Sequence, residues 1–447
     1  MLRLPPIDAN SGQPIYRQLY EALKHSIMTG ELQPGDRIAP TRELAQEMGL
    51  NRATVSAAYE LLEADGLISG QVGRGSFVQS REISFATSRP SEDLFPLENF
   101  RAAAEEVIRS KASQILQLGS PKGYGPLRDY LVEEALEEGV FDSASDDLLI
   151  TSGCQQALDL IQRTLIAPGA QVLVEEPVYP GLRNAFQGRL TANPNAANIQ
   201  AQVVTPNFSN PLGKTMPLEE RKALVREVER TDRMLVEVDV YSLMRYRGKS
   251  LPGLRQFGAQ KQTLLLRSYS KIAFPGLRVG WVIGPREWIQ RLGQTKQWTD
   301  LHSDQLSQAI MLEFARSGRL KSHVERVLAA GRAALGATIA GLEDALPEGS
   351  SFTRPDGGMN LWVSLPAGCN AEAVLEEAKR AGVSFLPGRH FSLTQPYREN
   401  LRISFAGLAP ARIEEGMRRL KPLFAAEAQR AQSAAGNLEP LPAMAMV

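Results

Sequence analysis

A lysine stands between two apolar stretches in the middle of this 447-residue chain. Residues 262–269 (QTLLLRSY) predict a buried strand, and Lys271 follows that strand closely. Apolar neighbours on both sides desolvate an amine, which suits a lysine that forms a Schiff base with a carbonyl compound. Ser268, Ser270 and Arg278 could supply hydroxyl and guanidinium partners for a phosphate. The alternative is that Lys271 is an ordinary surface lysine.

Other polar side chains stand at the ends of other apolar runs. Asp239 lies at the end of the run at 234–240, Tyr241 directly follows that run, and Asn210 lies in a turn before Pro211. A buried carboxylate needs a cationic partner, and a protonated pyridine nitrogen is a partner that also makes the ring an electron sink. The amide of Asn210 and the phenol of Tyr241 could bond a ring hydroxylate. Each residue also fits an ordinary role in a turn or a cap.

The segment 152–155 (SGCQ) joins a predicted strand, 147–151, to an amphipathic helix. A helix N-terminus attracts anions such as phosphate. Tyr179 follows the predicted strand 171–176 and could stack on a flat ring, although it also fits a core position. Each motif alone is weak evidence. Their consistent order along the chain favours a single site for a phosphorylated ring compound.

A parallel sheet would position these residues, because the carboxyl ends of its strands meet at one edge. The apolar runs alternate with helical stretches, as in α/β proteins with a mostly parallel sheet. Two further strands (GMNLWVSL and LRISF) and the helix AEAVLEEAKRAG predict a smaller α+β lobe. We predict this domain over residues 101–425 and, from the Ala-, Gln- and Pro-rich composition, a disordered tail over 426–447.

Residues 10–79 predict a winged helix-turn-helix, and residues 80–100 predict a short connector. Ile15, Leu19, Leu23 and Ile27 recur every four residues and indicate an amphipathic helix. Two more helices and a glycine-rich hairpin follow, and the second helix of the motif would enter the major groove of DNA. The residues placed to contact DNA are Arg42, Asn51, Arg52, Thr54 and Arg74.

The charge of this segment does not favour DNA binding, since its first 80 residues hold seven basic and nine acidic side chains. DNA-binding domains are usually basic. The positions of three arginines offset this: Arg42 and Arg52 begin the two helices of the motif, and Arg74 lies at the tip of the wing. The alternative is a small helical domain with scattered surface arginines.

Composition sets further limits. The net charge is +0, which excludes a chain-wide basic field. The two cysteines, Cys154 and Cys369, cannot form a disulfide framework and suit a reducing cytoplasm. No apolar run approaches the ~20 residues that span a bilayer. None of the four histidines has metal-ligand spacing, so we expect a cytoplasmic protein without a metal or membrane site.

Two long stretches carry family resemblances. The N-terminal segments PIYRQLYEAL, GELQPGDRIAPTRELAQEMGLNRATVSAAYELLEADGLI and GRGSFV resemble the GntR-type winged helix. Residues 80–425 resemble a fold-type-I, aspartate-aminotransferase-like domain that binds pyridoxal 5′-phosphate, through GYGPLRDYL, TSGCQQALDL, EEPVYPG, NPLG, DVYSLMRY, SYSKIAFPGLRVGW, GGMNLWV and LRISFAGL. The combination is similar to the MocR/GabR-like regulators.

The resemblance implies a role for each residue. Lys271 would form the internal aldimine, Asp239 would pair with the pyridine nitrogen, and Arg402 would clamp an α-carboxylate. Tyr241 and Asn210 would contact the ring oxygen, and Tyr179 would stack on the ring. The phosphate would be held by Gly153, Cys154, Gln155, Ser268, Ser270 and Arg278. In a homodimer with shared sites, Tyr124 would reach the phosphate of the other subunit.

Three features depart from the family pattern. Family members often have two acidic residues before the tyrosine that corresponds to Tyr241, but here the second of them is Val240. Some members carry a second, substrate-selecting arginine two residues after the position of Tyr179, but here that position is Gly181 and the next arginine is Arg183. The resemblance therefore implies that the substrate side chain is read differently here. The connector is also shorter than is usual in the family.

Three classes of function remain. The first is a transcription regulator that binds operator DNA and senses an amino acid, or the cofactor itself, through aldimine chemistry. The second is an active aminotransferase with an appended DNA-binding domain. The third is a DNA-binding protein whose cofactor domain is only a dimer scaffold. The complete set of Lys271, Asp239 and Arg402 disfavours the third class, and the intact winged helix favours the first, with transamination slow or absent.

Overall fold

The computed structural model describes residues 12–29, 31–33, 35–71, 75–78 and 82–436. The chain divides into two units, one ending at Ile83 and the other beginning at Ser84. Each unit has its own fold, and the functional residues are distributed between them.

The N-terminal unit is the predicted winged helix-turn-helix. It contains α1 (Ile15–Thr29), α2 (Thr41–Met48), α3 (Arg52–Ala64) and an antiparallel pair, β1 (Ile68–Gln71) and β2 (Gly75–Val78). The regularly spaced Leu19 and Leu23 of α1 pack on Val55 and Leu62 of α3, and all four are buried. Residues 72–74, which include the predicted DNA contact Arg74, lie outside the described residues.

The second unit is built on a seven-stranded sheet. Its strands are β4 (Asp146–Thr151), β5 (Gln171–Val174), β6 (Leu190–Thr191), β7 (Ile199–Val204), β8 (Met234–Val238), β9 (Thr263–Ser268) and β10 (Gly280–Pro285). A short strand at the unit boundary, β3 (Ile83–Ser84), precedes them and is not part of this sheet. Their order is β4-β10-β9-β8-β7-β5-β6, and β10 alone runs antiparallel to its neighbours. The prediction of a mostly parallel sheet is confirmed.

A four-stranded antiparallel sheet forms the predicted smaller lobe. Its order is β11-β12-β15-β14, from β11 (Ser351–Phe352), β12 (Asn360–Ser364), β14 (Leu386–Pro387) and β15 (Asn400–Ser404), with β13 (Val383–Ser384) outside it. The helices of the second unit are α4 (Leu97–Ile115), α5 (Gly125–Glu137), α6 (Cys154–Leu165), α7 (Pro180–Phe186), α8 (Leu218–Thr231), α9 (Arg286–Asp300), α10 (Gln305–Arg316), α11 (Arg319–Ala345), α12 (Ala371–Arg380) and α13 (Pro410–Gly436).

Two predicted boundaries were wrong. Residues from Ser84 to 100 belong to the second unit, whereas we predicted them as a connector. The side chain of Phe85 is fully buried and its N–H donates to the carbonyl of Ser384 at 2.7 Å. The predicted tail is also helical as far as Gly436, because α13 continues and buries Ala428. Residues 437–447 lie outside the described part.

Two classes of site are not seen in the residues that the structure describes. None of the helices there is both long enough and apolar enough to cross a bilayer. The same residues hold no cluster of His, Cys, Asp and Glu side chains that could bind a metal ion.

Candidate functional site

The ends of the parallel strands surround a cavity of about 180 Å³ in the second unit. Most residues predicted to hold a phosphorylated ring meet there, although they come from distant parts of the chain. Those that line it are Cys154, Gln155, Tyr179, Asn210, Tyr241, Ser268, Ser270, Lys271 and Arg278. The convergence follows from the topology, since parallel strands place their carboxyl ends at the same edge.

One end of the cavity is suited to an anion. Gly153, with φ 85°, directly precedes α6, so the N–H groups of the first turn of that helix face this end. Arg278 lies across it and donates to the carbonyl of Ser152 at 3.1 Å and to the hydroxyl of Ser270 at 3.4 Å. A Cβ atom on Gly153 would lie 2.3 Å from Nη2 of Arg278, so any other residue here would displace this guanidinium from the anion end of the cavity.

Lys271 lies in a short 3₁₀ turn (Tyr269–Lys271) that directly follows β9. The hydroxyl of Ser268 accepts a hydrogen bond from the N–H of Ser270 and so shapes the turn. The amine of Lys271 donates to the carbonyl of Ser88 at 2.8 Å and lies 5.8 Å from the ring centre of Tyr241. In the described part of the chain this amine has no carboxylate partner, so it is available to an incoming carbonyl group.

Asp239 follows β8 and is buried, with 6% of its surface exposed. Its Oδ1 accepts from the side-chain amide of Asn207 at 3.0 Å, and its Oδ2 contacts Nε and Nη2 of Arg267, each at 3.1 Å. Asn207 is held in turn by the fully buried Arg221 at 2.7 Å. The expected cationic partner of this carboxylate is therefore present in the chain itself, as Arg267.

We did not single out Asn207, Arg267 or Ser88 from the sequence. Asn207 follows β7, a central strand that we also did not predict, and the only signal for that strand was the weak alternation in IQAQVV. Arg267 stands one residue before Ser268 in the apolar run, but nothing local indicates that its side chain turns towards Asp239. These contacts join residues 28 and 32 positions apart.

Arg402 lies on β15 and is buried, with 3% of its surface exposed. It donates to the side-chain oxygen of Asn210 at 3.2 Å and to the carbonyl of Ala86, and in the described part of the chain its Nε has no partner. Burial lowers the pKa of this guanidinium to about 10, although Tyr241 and Tyr179 favour its charged form. A buried cation with an unused donor fits a ligand carboxylate, which would supply both a negative charge and a hydrogen-bond acceptor.

The walls of the cavity are largely apolar. Tyr179 packs on Gly181, where a Cβ atom would lie 2.2 Å from the tyrosine ring, and 42% of its surface is exposed. Burial raises the pKa of the Cys154 thiol to about 12, so this cysteine is uncharged at neutral pH. Val240 lines the cavity at the second position of the family's acidic pair. Arg183 donates to the carbonyls of His390 and Ser392, at 3.4 and 2.8 Å.

Tyr124 does not line the cavity of its own chain. Its side chain is buried, with 3% exposed, and its N–H donates to Oε1 of Gln308 at 2.8 Å. Its expected contact with another subunit stays a prediction.

In the N-terminal unit, the predicted DNA-contacting residues lie at the start of α2 and α3. The side chain of Asn51 accepts from the N–H of Ala53 at 2.9 Å and caps α3, so it stabilises the helix start. Arg52 is exposed and Arg42 is exposed as well, and neither forms an ion pair within the part of the chain that the structure describes. Thr54 is partly buried. Arg37 adds a basic side chain beside Gly75 of the wing, which we did not predict.

Comparison with known proteins identifies both units. Residues 82–420 match the family described as aminotransferase class I and II, and residues 15–78 match the bacterial regulatory proteins of the gntR family. Aromatic-amino-acid aminotransferase 1 of Thermococcus litoralis is 31% identical over 361 residues, which cover 76% of this chain and 87% of that protein.

Two further relatives extend the comparison: one is a structure with a bound phosphopyridoxyl compound, and the other matches nearly the whole chain. The crystal structure of LysN, an alpha-aminoadipate aminotransferase from Thermus thermophilus complexed with N-(5′-phosphopyridoxyl)-L-leucine, is 32% identical with a TM-score of 0.72, and covers 78% of this chain and 93% of that one. The probable rhizopine catabolism regulatory protein MocR of Rhizobium meliloti is 24% identical over 471 residues, 94% of this chain and 96% of that protein. The chain therefore belongs to the aminotransferase class I and II family, whose cofactor is pyridoxal 5′-phosphate, and joins that domain to a gntR-type DNA-binding unit as the MocR-like transcription regulators do.

Proposed function

We propose that this protein is a transcription regulator whose affinity for operator DNA depends on what occupies the cofactor cavity. The effector is an amino acid or pyridoxal 5′-phosphate itself. One observation carries the proposal. Lys271 and Arg402, the two groups that would capture a ligand, donate to the carbonyls of Ser88 and Ala86, in the segment that directly follows the DNA-binding unit.

The residues that line the cavity, with Asp239 and Arg402 beside it, fit pyridoxal 5′-phosphate. The start of α6 with Arg278 and Ser270 suits its phosphate, and the buried carboxylate of Asp239 suits a protonated ring nitrogen. The unused Nε of Arg402 suits the carboxylate of an amino acid beside the cofactor.

Each residue then has a proposed task. Lys271 would hold the cofactor covalently, and Asp239 would bind the ring nitrogen. Tyr241 and Asn210 would contact the ring oxygen, and Tyr179 would cover the ring face. The phosphate would be bound by Gly153, Cys154, Gln155, Ser268, Ser270 and Arg278. When bound, the cofactor supplies a carbonyl group that reacts with primary amines and a protonated ring that withdraws electrons.

The chain's own side chains orient an amino acid in this site. Arg402 binds the α-carboxylate with a planar pair of donors, which places the amino group towards Lys271. The amine of Lys271 is then in a position to move a proton at the α-carbon. Capture of the carboxylate competes with the bond from Arg402 to Ala86, and cofactor attachment competes with the bond from Lys271 to Ser88.

This competition gives ligands a way to act on DNA binding. A ligand shifts a conformational equilibrium only when it binds the two states differently. A ligand that engages Lys271 and Arg402 would replace their two hydrogen bonds to residues 86–88. We infer that release of this segment, which is covalently continuous with the DNA-binding unit, changes the affinity for operator DNA by about 5–150-fold, the usual range of coupling between sites.

Operator recognition is proposed for the start of α3. Arg52 would contact a base edge, while Arg42 and the wing arginine Arg74 would contact phosphates, and Asn51 and Thr54 would add neutral contacts. Because acidic side chains outnumber basic ones in this segment, these arginines are the main source of favourable charge.

A homodimer is the proposed assembly. Large apolar side chains remain exposed in the single chain, including Trp298 at 87%, Leu116 at 82% and Leu118 at 77%. Exposed apolar patches often mark interaction sites. The expected contact of Tyr124 with the other subunit's phosphate would lie at the same interface. Light scattering should give twice the chain mass, and Trp298→Glu should lower it.

The alternative function is an active aminotransferase with an appended DNA-binding unit. The joint presence of Lys271, Asp239 and Arg402 favours it, as does the 31% identity to a named aminotransferase. One experiment separates the two functions. Operator DNA is titrated with and without amino acids and cofactor, and keto-acid release is assayed in parallel. Ligand-dependent DNA binding with turnover well below about 10 per second, the median enzyme rate, supports the regulator. Fast turnover with ligand-independent DNA binding supports the enzyme.

A further inference from the structure

We propose that Arg267 restrains the chemistry of the cofactor site by sharing the carboxylate of Asp239 with the cofactor's ring nitrogen. This inference rests on the proposed function, because it requires the cofactor to bind beside Asp239. It assigns a task to a residue outside the cavity, and it offers a physical reason why turnover would be slow in a protein with a complete catalytic set.

The contacts of Asp239 are already filled within the chain. Its Oδ2 lies 3.1 Å from both Nε and Nη2 of Arg267, and its Oδ1 accepts from Asn207 at 3.0 Å. The side chain of Asp239 is only 4% exposed, so water does not compete for these oxygens. A ring nitrogen that reaches this carboxylate therefore meets a group whose negative charge is already partly neutralised.

Arg267 is held in place from its other side. Its Nη1 lies 2.6 Å from a carboxylate oxygen of Glu138, whose side chain is 47% exposed. Burial would lower the pKa of Arg267, but the charges of Asp239 and Glu138 hold it above its usual value. The guanidinium is therefore a permanent cation, and Glu138, Arg267 and Asp239 form a row of alternating charges that ends at Asp239, whose neighbours Val238 and Val240 line the cofactor cavity.

The sign of the effect follows from this row. A fixed cation beside Asp239 repels a protonated ring nitrogen on the same carboxylate, and it favours the neutral ring. A neutral ring withdraws electrons poorly, so proton removal from a bound amino acid slows. Glu138 offsets part of the cation's effect. A neighbouring charge of this kind shifts an equilibrium by about tenfold, equivalent to one pKa unit.

The ligand-free and loaded forms respond differently to loss of Arg267. Without cofactor, removal of the cation leaves the buried Asp239 with Asn207 alone, which destabilises the protein. With cofactor, the protonated ring replaces the missing cation. Substitution at Arg267 is tolerable for packing, since Arg267 lines a cavity of about 500 Å³, which Asp239 and Glu138 also line.

The test uses two single variants in the full chain, Arg267→Gln and Glu138→Gln, which should change cofactor affinity in opposite directions. Cofactor affinity is measured by titrating the ligand-free protein with pyridoxal 5′-phosphate, and ring protonation is read from the ¹⁵N chemical shift of cofactor labelled at the ring nitrogen. Arg267→Gln should bind the cofactor about tenfold more tightly and move the shift towards the protonated ring. Glu138→Gln should weaken binding and move the shift the other way.

Arg354→Gln is the matched control, because Arg354 forms a 2.8 Å ion pair with Glu343 in which both side chains are half exposed. This control should leave the cofactor affinity and the ¹⁵N chemical shift of the ring nitrogen unchanged. Weaker binding in both Arg267→Gln and Glu138→Gln would overturn the inference, since it would show that Arg267 only positions Asp239. If Arg267→Gln does not fold, the ¹⁵N chemical shift of the ring nitrogen in Glu138→Gln decides: movement towards the neutral ring supports the inference, and an unchanged shift overturns it. If the unmodified protein binds no cofactor, the proposed function fails first, and this inference fails with it.

Discussion

Arg402→Ala should greatly weaken the response of DNA binding to an amino acid while leaving the cofactor attached. Arg402 is 3% exposed and has an unused Nε, so a ligand carboxylate would form a buried, charged pair with it. Removal of one partner of such a pair costs about 2–5 kcal/mol. At about 1.4 kcal/mol for each factor of ten, the amino-acid concentration that half-saturates the response should rise roughly 30-fold to several thousandfold.

The assay is fluorescence anisotropy of labelled operator DNA, titrated with amino acid in the presence of saturating cofactor. The visible absorbance of the protein should be unchanged, because Arg402 is not one of the residues that line the cavity around Lys271. Arg402→Lys keeps the charge but loses the planar pair of donors, so it should show an intermediate loss. Arg354→Ala removes an exposed arginine elsewhere and should behave like the unmodified protein.

The pH dependence provides a second check on the same residue. Burial lowers the pKa of Arg402 to about 10, so its charged form, which a carboxylate needs, persists at neutral pH and is lost as the pH rises through that value. Affinity for the amino acid should therefore be constant near neutrality and fall as the pH approaches 10. An unchanged response in Arg402→Ala would refute the reasoning and would identify the cofactor, rather than a carboxylate ligand, as the effector.

Three further predictions concern the cofactor and the DNA. Lys271→Ala should lose the visible absorbance, because it removes the amine that links the cofactor covalently; an unchanged spectrum would contradict the assignment. Gly153→Ala should weaken cofactor binding at least about tenfold, since its Cβ would lie 2.3 Å from Arg278. Gly169→Ala is the control for backbone strain, because Gly169 has a similar positive φ and its Cβ would have no atom within 4 Å. This control should bind the cofactor normally. Arg52→Ala should cost about 1–3 kcal/mol of discrimination between operator and random DNA, as expected for a base contact, while Arg74→Ala should weaken both alike. Competition binding measures both ratios, and an equal loss on the two DNAs in Arg52→Ala would make Arg52 a phosphate contact.

Local patterns were sufficient for the domain pair and for most of the cavity. The four-residue spacing of apolar side chains in α1 and the cap residue Asn51 define the winged helix, because helix periodicity and capping depend on neighbours in sequence. Alternating strands and helices define the parallel sheet, Lys271 and Asn210 each follow a strand or stand in a turn, and Ser268 ends β9. A parallel sheet brings such positions to one edge whatever the details of its loops.

The boundaries of the cofactor-binding domain could not be predicted from local sequence patterns. Residues 84–100 have the polar composition of a connector, but the burial of Phe85 and the contacts of Ala86 and Ser88 depend on the smaller lobe and on Lys271. The start of the tail was similarly misplaced, since α13 is stabilised by packing of residues such as Ala428 rather than by its composition.

The sequence by itself therefore determined which chemical groups the protein has and the order in which they occur. Their order predicts a DNA-binding unit followed by a cofactor-binding domain, because each motif is set by residues close together in the chain. Only the tertiary structure decided which groups share a partner: Asp239 with Arg267, and Arg402 with Asn210 and Ala86. These pairs are separated by 28, 192 and 316 residues. Packing of whole strands and lobes creates them, and no local pattern encodes a contact between side chains that far apart.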